Sequence, residues 1–151
     1  MTRWFAASLL LVASTAAGGA CTISASGVAF GIYDTTKSTP TDFTGTVRVT
    51  CSKQSGNGPY NITLSRGGAA SYGARRMILG GFMLPYQLYT DAAHTKIWGD
   101  FSSGVFVVTG TDDIPSHGGT KTYQVYGRIA ARISAHPGGG YLDTIVAALT
   151  Y

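Results

Sequence analysis

Residues 141–151 read Tyr141-Leu142-Asp143-Thr144-Ile145-Val146-Ala147-Ala148-Leu149-Thr150-Tyr151. Tyr141, Asp143, Ile145, Ala147, Leu149 and Tyr151 fall on one face, and Leu142, Thr144, Val146, Ala148 and Thr150 on the other, the period of two that defines a strand. This is the most apolar strand in the sequence, and the chain stops inside it at Tyr151 with no turn after it. A strand that ends at an open sheet edge exposes backbone donors and acceptors beside a hydrophobic core, which secreted proteins guard against. Periodicity leaves two readings open: earlier strands of the same chain flank it on both sides, or a strand from elsewhere covers it.

The rest of the chain is consistent with an all-β domain. Its 151 residues include 21 Gly, 9 Tyr and 6 Phe, with 12% charged residues, and every acid is Asp. Polar positions are filled by Thr, Ser, Gly and Asn rather than by helix formers, which disfavours helical bundles and α/β folds. Thr22–Tyr33 alternates in two patches, Ile23 and Ala25, then Val28, Phe30 and Ile32, with a bend or bulge expected at Gly27. Phe43, Gly45, Val47, Val49 and Cys51 define the inward face of a half-buried strand. Further strands are expected at Tyr60–Leu64, Arg75–Leu79, Leu84–Tyr89 and Lys121–Ile133, separated by Gly- and Pro-rich turns, and the short apolar run Val105–Val108 reads either as a strand buried on both faces or as a loop edge. Seven or so strands at this spacing, without a convincing helix, predict an immunoglobulin-like β-sandwich.

Residues 1–20 are expected to lie outside that fold. Arg3, the apolar run from Trp4 to Ala17 and the small residues Gly18, Gly19 and Ala20 form the three parts of a secretory signal peptide. A transmembrane anchor needs about 20 apolar residues, and this run is shorter. A lipoprotein signal is the narrower alternative, with Cys21 as the lipid carrier, but Gly18 stands where such signals place an aliphatic residue. Residues 21–151 then form the mature, exported domain.

Export gives the cysteines a meaning. Cys21 and Cys51 are the only two, and an even pair in a small domain in an oxidising compartment reads as a disulfide. Closing that loop would restrict the unfolded chain by roughly 3.7 kcal/mol in the loop-entropy model. His94, His117 and His136 are dispersed without metal-ligand spacing and read as loop residues. Lys and Arg are scattered apart from Arg75-Arg76, so no nucleic-acid footprint is present. Asp112-Asp113 and Ser116-His117 are turn chemistry, not a converging nucleophile and base, so no catalytic residue and no cofactor site is assigned. The Gly-flanked residues Met77, Ile78, Leu79, Phe82 and Met83 read first as core packing. The alternative is an apolar adhesive loop centred on Phe82 and Met83.

Several segments together resemble a known family. Cys21-Thr22-Ile23-Ser24-Ala25, Phe30-Gly31-Ile32-Tyr33, Val47 to Cys51, Leu84-Pro85-Tyr86-Gln87-Leu88-Tyr89-Thr90-Asp91, Trp98-Gly99-Asp100, Tyr126-Gly127-Arg128-Ile129 and Gly140-Tyr141-Leu142-Asp143-Thr144-Ile145-Val146 are similar, in order, to the spore coat protein U domain family. That family includes the Csu-type subunits of archaic chaperone-usher pili. The resemblance implies a non-enzymatic, secreted domain with an incomplete immunoglobulin-like sandwich lacking its final strand. It also implies three partners: a periplasmic pilus chaperone that first lends the strand, an outer-membrane usher, and a neighbouring pilin subunit whose N-terminal extension replaces the loan by β-augmentation. Val28, Phe30 and Ile32 of the first strand and Ile145, Ala147, Leu149 and Tyr151 of the last are then expected to flank the receiving groove. A donor extension needs about ten residues at about 3.3 Å each, and cleavage after Ala20 leaves none before Cys21. The expected subunit accepts a strand without giving one, as a fibre tip or coat component, with a tip adhesin binding abiotic or host surfaces as the alternative.

Overall fold

The computed structural model describes residues 7–14, 21–52, 59–110, 119–135 and 140–150. In chain order the strands are β1 (Ala7–Ser14), β2 (Cys21–Ala25), β3 (Val28–Gly31), β4 (Thr41–Cys51), β5 (Tyr60–Leu64), β6 (Arg76–Leu79), β7 (Phe82–Pro85), β8 (Gln87–Tyr89), β9 (Val108–Gly110), β10 (Gly119–Ile129) and β11 (Leu142–Thr150). A 3₁₀ turn, Tyr72–Ala74, precedes β6. Two sheets face each other as an immunoglobulin-like β-sandwich. One has the order β2-β4-β10-β8; the other runs β3-β1-β11-β5-β9, with β6 also pairing β11 and β7 pairing β6.

Alternation explains which residues fill the space between the sheets. Val47, Val49 and Cys51 of β4, Tyr60, Ile62 and Leu64 of β5, Val125 and Ile129 of β10, and Ile145, Ala147 and Leu149 of β11 are all buried. Trp98 is buried among them and its indole N–H donates to the Ile62 carbonyl at 2.9 Å. The two patches of the opening strand lie in different sheets. β2 pairs with β4, and after Ser26-Gly27 the chain crosses so that β3 pairs with β1. The expected strand Leu84–Tyr89 makes the same kind of crossing at Tyr86, between β7 and β8. Its inward residues Leu84, Tyr86 and Leu88 remain buried throughout.

The glycines on the inward face of β4 and β10 make room for this crossing. A Cβ on Gly45 would lie 2.7 Å from Val28 Cγ2, and one on Gly127 2.9 Å from Phe30 Cζ. Both are closer than carbon atoms pack, so β3 can seat its side chains across the sandwich only where β4 and β10 carry none. The Cys21–Cys51 disulfide joins residues directly opposite each other in the β2–β4 pair.

Candidate functional site

β11 is hydrogen-bonded on both edges by its own chain. On one edge Thr150 to Ala147 pair with Asn61 to Leu64 of β5, and Leu142 pairs with Ile78 of β6. On the other edge lies β1, parallel to β11 from Ser8↔Leu142 to Ser14↔Ala148. β1 also pairs antiparallel with β3, through Ala7↔Gly31, Ser8↔Ala29 and Leu9↔Val28. The strand flanking β11 is thus the apolar run that the sequence assigns to a signal peptide. Without β1, β3 and β11 have no hydrogen-bonded neighbour on their facing edges among the described residues.

The slot between β3 and β11 is the candidate site. Its core-facing surface is formed by Val28, Phe30, Ile145, Ala147 and Leu149, all buried, as alternation predicts. The Phe30 ring lies edge-on to Phe43, with centroids 5.4 Å apart, and tilted against Tyr86 at 5.7 Å. Leu11 of β1, opposite Ile145, is 8% exposed and belongs to the core cluster, whereas Val12, opposite Val146, is 46% exposed. A strand in this slot is therefore one-sided, apolar toward the core and open to solvent behind.

Ile32 does not belong to the slot. Gly31 adopts φ +66°, which ends β3 and breaks the alternation, so Ile32 is 54% exposed instead of following Val28 and Phe30 inward. Tyr151 lies outside the described residues, as do His117, His136, Asp112, Asp113 and Ser116.

The lower half of β11 is anchored by a polar cluster that sequence reading missed. Asp143 is buried; its carboxylate accepts the Tyr86 hydroxyl at 2.7 Å, the Gly68 N–H at 3.1 Å and the Thr144 N–H at 2.9 Å. Burial first, and then this bond to a carboxylate, push the Tyr86 phenol well above its ordinary range. Arg75 is also buried, and its guanidinium donates to Gln87 Oε1 at 2.9 Å and to the Ser65 and Trp98 carbonyls at 2.7 Å each. Burial lowers its pKa to about 10. Asp143 sat on the inward face by alternation, which was a legible signal; Arg75, adjacent to a second arginine, gave none.

The β6–β7 hairpin divides the apolar residues that the sequence grouped together. Met77 is buried, in keeping with core packing, but Ile78, Phe82 and Met83 are about half exposed. Ile78 stands opposite Met83 on one side and Leu142 on the other, so an apolar row runs across the outside of the sheet. His94 sits in a turn as expected, with its ring edge-on to Tyr89 and Nε2 3.9 Å from Asp42. Among the described residues no group of three His, Cys, Asp or Glu side chains is placed to hold a metal.

Comparison with known proteins agrees with this architecture. No curated protein matches the chain. Among solved structures, the chain is similar to the CsuC-CsuE chaperone-tip adhesion subunit pre-assembly complex from archaic chaperone-usher Csu pili of Acinetobacter baumannii, with a TM-score of 0.51 and 18% identity. The likeness covers 87% of this chain and 39% of that one, and establishes a shared fold. The family model of the Spore Coat Protein U domain matches residues 6–148, a span that takes in β1 and nearly all of β11. The sandwich, its order of strands and this match together establish that the chain belongs to the spore coat protein U domain family.

Proposed function

We propose that this chain is a secreted, non-enzymatic structural subunit of a chaperone-usher surface fibre or coat, whose sandwich is completed by a strand from another polypeptide. One observation carries the proposal. The strand between β3 and β11 is drawn from residues 7–14, the segment with signal-peptide character, so a chain processed after Ala20 has an unfilled slot with an apolar floor. An incoming strand supplies main-chain hydrogen bonds to both edges and one apolar side chain in every two to the floor. The partners on this reading are a periplasmic chaperone, then an outer-membrane usher and a neighbouring subunit. The likeness to a chaperone-subunit complex supports the first of them. With no donor extension ahead of Cys21 after such processing, the subunit accepts a strand and gives none, which places it at a fibre tip or in a coat.

The test is purification from the periplasm of a producing cell with the mature N-terminus read by mass spectrometry. The expected product begins at Cys21 and carries a chaperone with it. Leu149→Asp places a charge on the buried floor, and the expected result is loss of chaperone pairing and degradation of the chain. Normal secretion of that variant, or an ordered extension of about ten residues before Cys21, would contradict the reading. The exposed Ile78, Phe82 and Met83 favour a second reading, a tip adhesin that meets abiotic or host surfaces through this apolar hairpin.

A further inference from the structure

A cavity of about 610 Å³ opens away from the slot, between the β6–β7 hairpin and the end of β10. Three arginines line it, Arg75, Arg76 and Arg128, and no acidic residue does. Arg128 is matched, since its Nε and Nη2 donate to the two Asp42 carboxylate oxygens at 2.6 and 2.7 Å. The other two are not. Arg75 is 1% exposed, and its three hydrogen bonds go to neutral acceptors. Asp143 acts on it through space but bonds Tyr86, Gly68 and Thr144 instead. Among the described residues neither Arg75 Nε nor Arg76 Nε has a hydrogen-bond partner, although both atoms are buried. A cation removed from water without an opposing charge is costly, a cost that an anion in this cavity would offset.

The remaining lining decides what body that anion carries. Met83, Pro85, Ile97 and Ile133 form an apolar wall. Two of the polar side chains beside it are already committed. Gln87 accepts from Arg75 and from the Leu88 N–H and donates to the Tyr72 carbonyl, and the Tyr86 hydroxyl is bonded to Asp143. A sugar's hydroxyls would meet few partners here, whereas a hydrocarbon would be accommodated, and the volume is that of a small-molecule pocket. We propose that this cavity binds an apolar monocarboxylate of the medium-chain fatty acid class, with its carboxylate at Arg76, in the field of the buried Arg75, and its chain along Met83, Ile97 and Ile133. The exposed row from Met83 to Ile78 gives a longer chain a surface on which to continue.

Titration of the full chain, followed by calorimetry and by the Tyr and Trp fluorescence, separates the two halves of the ligand. Octanoate carries both anion and chain, octanol the chain alone, and inorganic phosphate the anion alone. Saturable octanoate binding at least about 10-fold tighter than octanol, with phosphate not competing at equal concentration, is the expected result. Arg76→Gln, which leaves the buried bonds of Arg75 in place, is expected to weaken octanoate by about 10-fold or more and to leave octanol unchanged. Arg76→Lys should recover part of the loss. Octanoate binding no better than octanol, undiminished binding by Arg76→Gln, or sedimentation with phosphatidylglycerol vesicles without saturable octanoate binding would each overturn the proposal. The full chain keeps residues 7–14 in place, so neither result depends on whether the slot accepts a partner's strand.

Discussion

Removing residues 1–20 is the perturbation to which this structure should respond most sharply. It deletes β1, and with it the register of seven positions along β11 and the insertion of Leu11 into the core. Losing the burial of one leucine costs about 1.5–3 kcal/mol, and partial re-exposure of Val28, Phe30 and Ile145 adds to it at about 25 cal/mol per Å². The strand's backbone bonds, at about 1 kcal/mol net each, are largely balanced by about 1–2 kcal/mol per residue of ordering entropy no longer lost. The net loss is on the order of 3–5 kcal/mol, a large part of the roughly 5–15 kcal/mol that holds a domain folded. Urea unfolding of a chain beginning at Cys21 should show a correspondingly lower midpoint, and hydrogen exchange should show the β11 amides facing the slot unprotected. A synthetic peptide of residues 7–14 should restore both in trans, and the same peptide with Leu11→Asp should not. A chain beginning at Cys21 that is monomeric, as stable as the full chain and protected along that edge would refute the reasoning, because something other than β1 would then be closing the sandwich.

Other consequences can be checked separately. Gly127→Val puts atoms where Phe30 already lies, and overpacking of this kind should lower stability by about 1–3 kcal/mol in the same urea assay. Reduction of Cys21–Cys51 should cost about 2–5 kcal/mol, read as a lower thermal midpoint with dithiothreitol than without. Met83→Ser, at a side chain that is 54% exposed, should change stability by no more than about 0.5 kcal/mol. Combined with Phe82→Ser, it should abolish attachment of the strand-complemented protein to polystyrene if the hairpin is adhesive. The Arg128 hydrogen bond holds the Asp42 carboxyl below its ordinary value of 3.8, so the folded pKa is depressed. The stability this pair contributes is present above that value and is lost as pH falls through the folded pKa. Arg128→Gln should accordingly remove stability at neutral pH and flatten the acid limb of a pH titration of the urea midpoint.

Much of the fold could be read along the chain because a strand writes its burial in single-residue steps. Val47, Val49 and Cys51, then Tyr60, Ile62 and Leu64, then Ile145, Ala147 and Leu149 are inward by alternation and buried in the sandwich. The disulfide followed from the cysteine count and the signal-peptide reading, and the fold sets Cys21 directly opposite Cys51 in the β2–β4 pair. Alternation failed where the backbone left the pleat. Gly31 at positive φ turned Ile32 outward, and the crossings at Ser26-Gly27 and Tyr86 placed each half of a continuous apolar pattern in a different sheet.

Of the seven residues that the family resemblance led us to expect beside a receiving groove, Val28, Phe30, Ile145, Ala147 and Leu149 are buried around the position β1 occupies. What covered it could not be read, because a short apolar run such as Leu9–Val12 has the same composition whether it is to be cleaved or to pair with a strand far away in sequence. Arg75 was equally opaque, since burying a guanidinium depends on carbonyls at Ser65 and Trp98 that only folding brings to it. By itself the sequence determined the class of fold and the inward face of most strands, which depend on neighbours one or two residues away, and the cysteine count pointed to the disulfide. Tertiary structure alone decided which strands adjoin, where the cavity with unmatched arginines lies and which segment fills the edge of β11, because those depend on contacts that close only when distant parts of the chain meet.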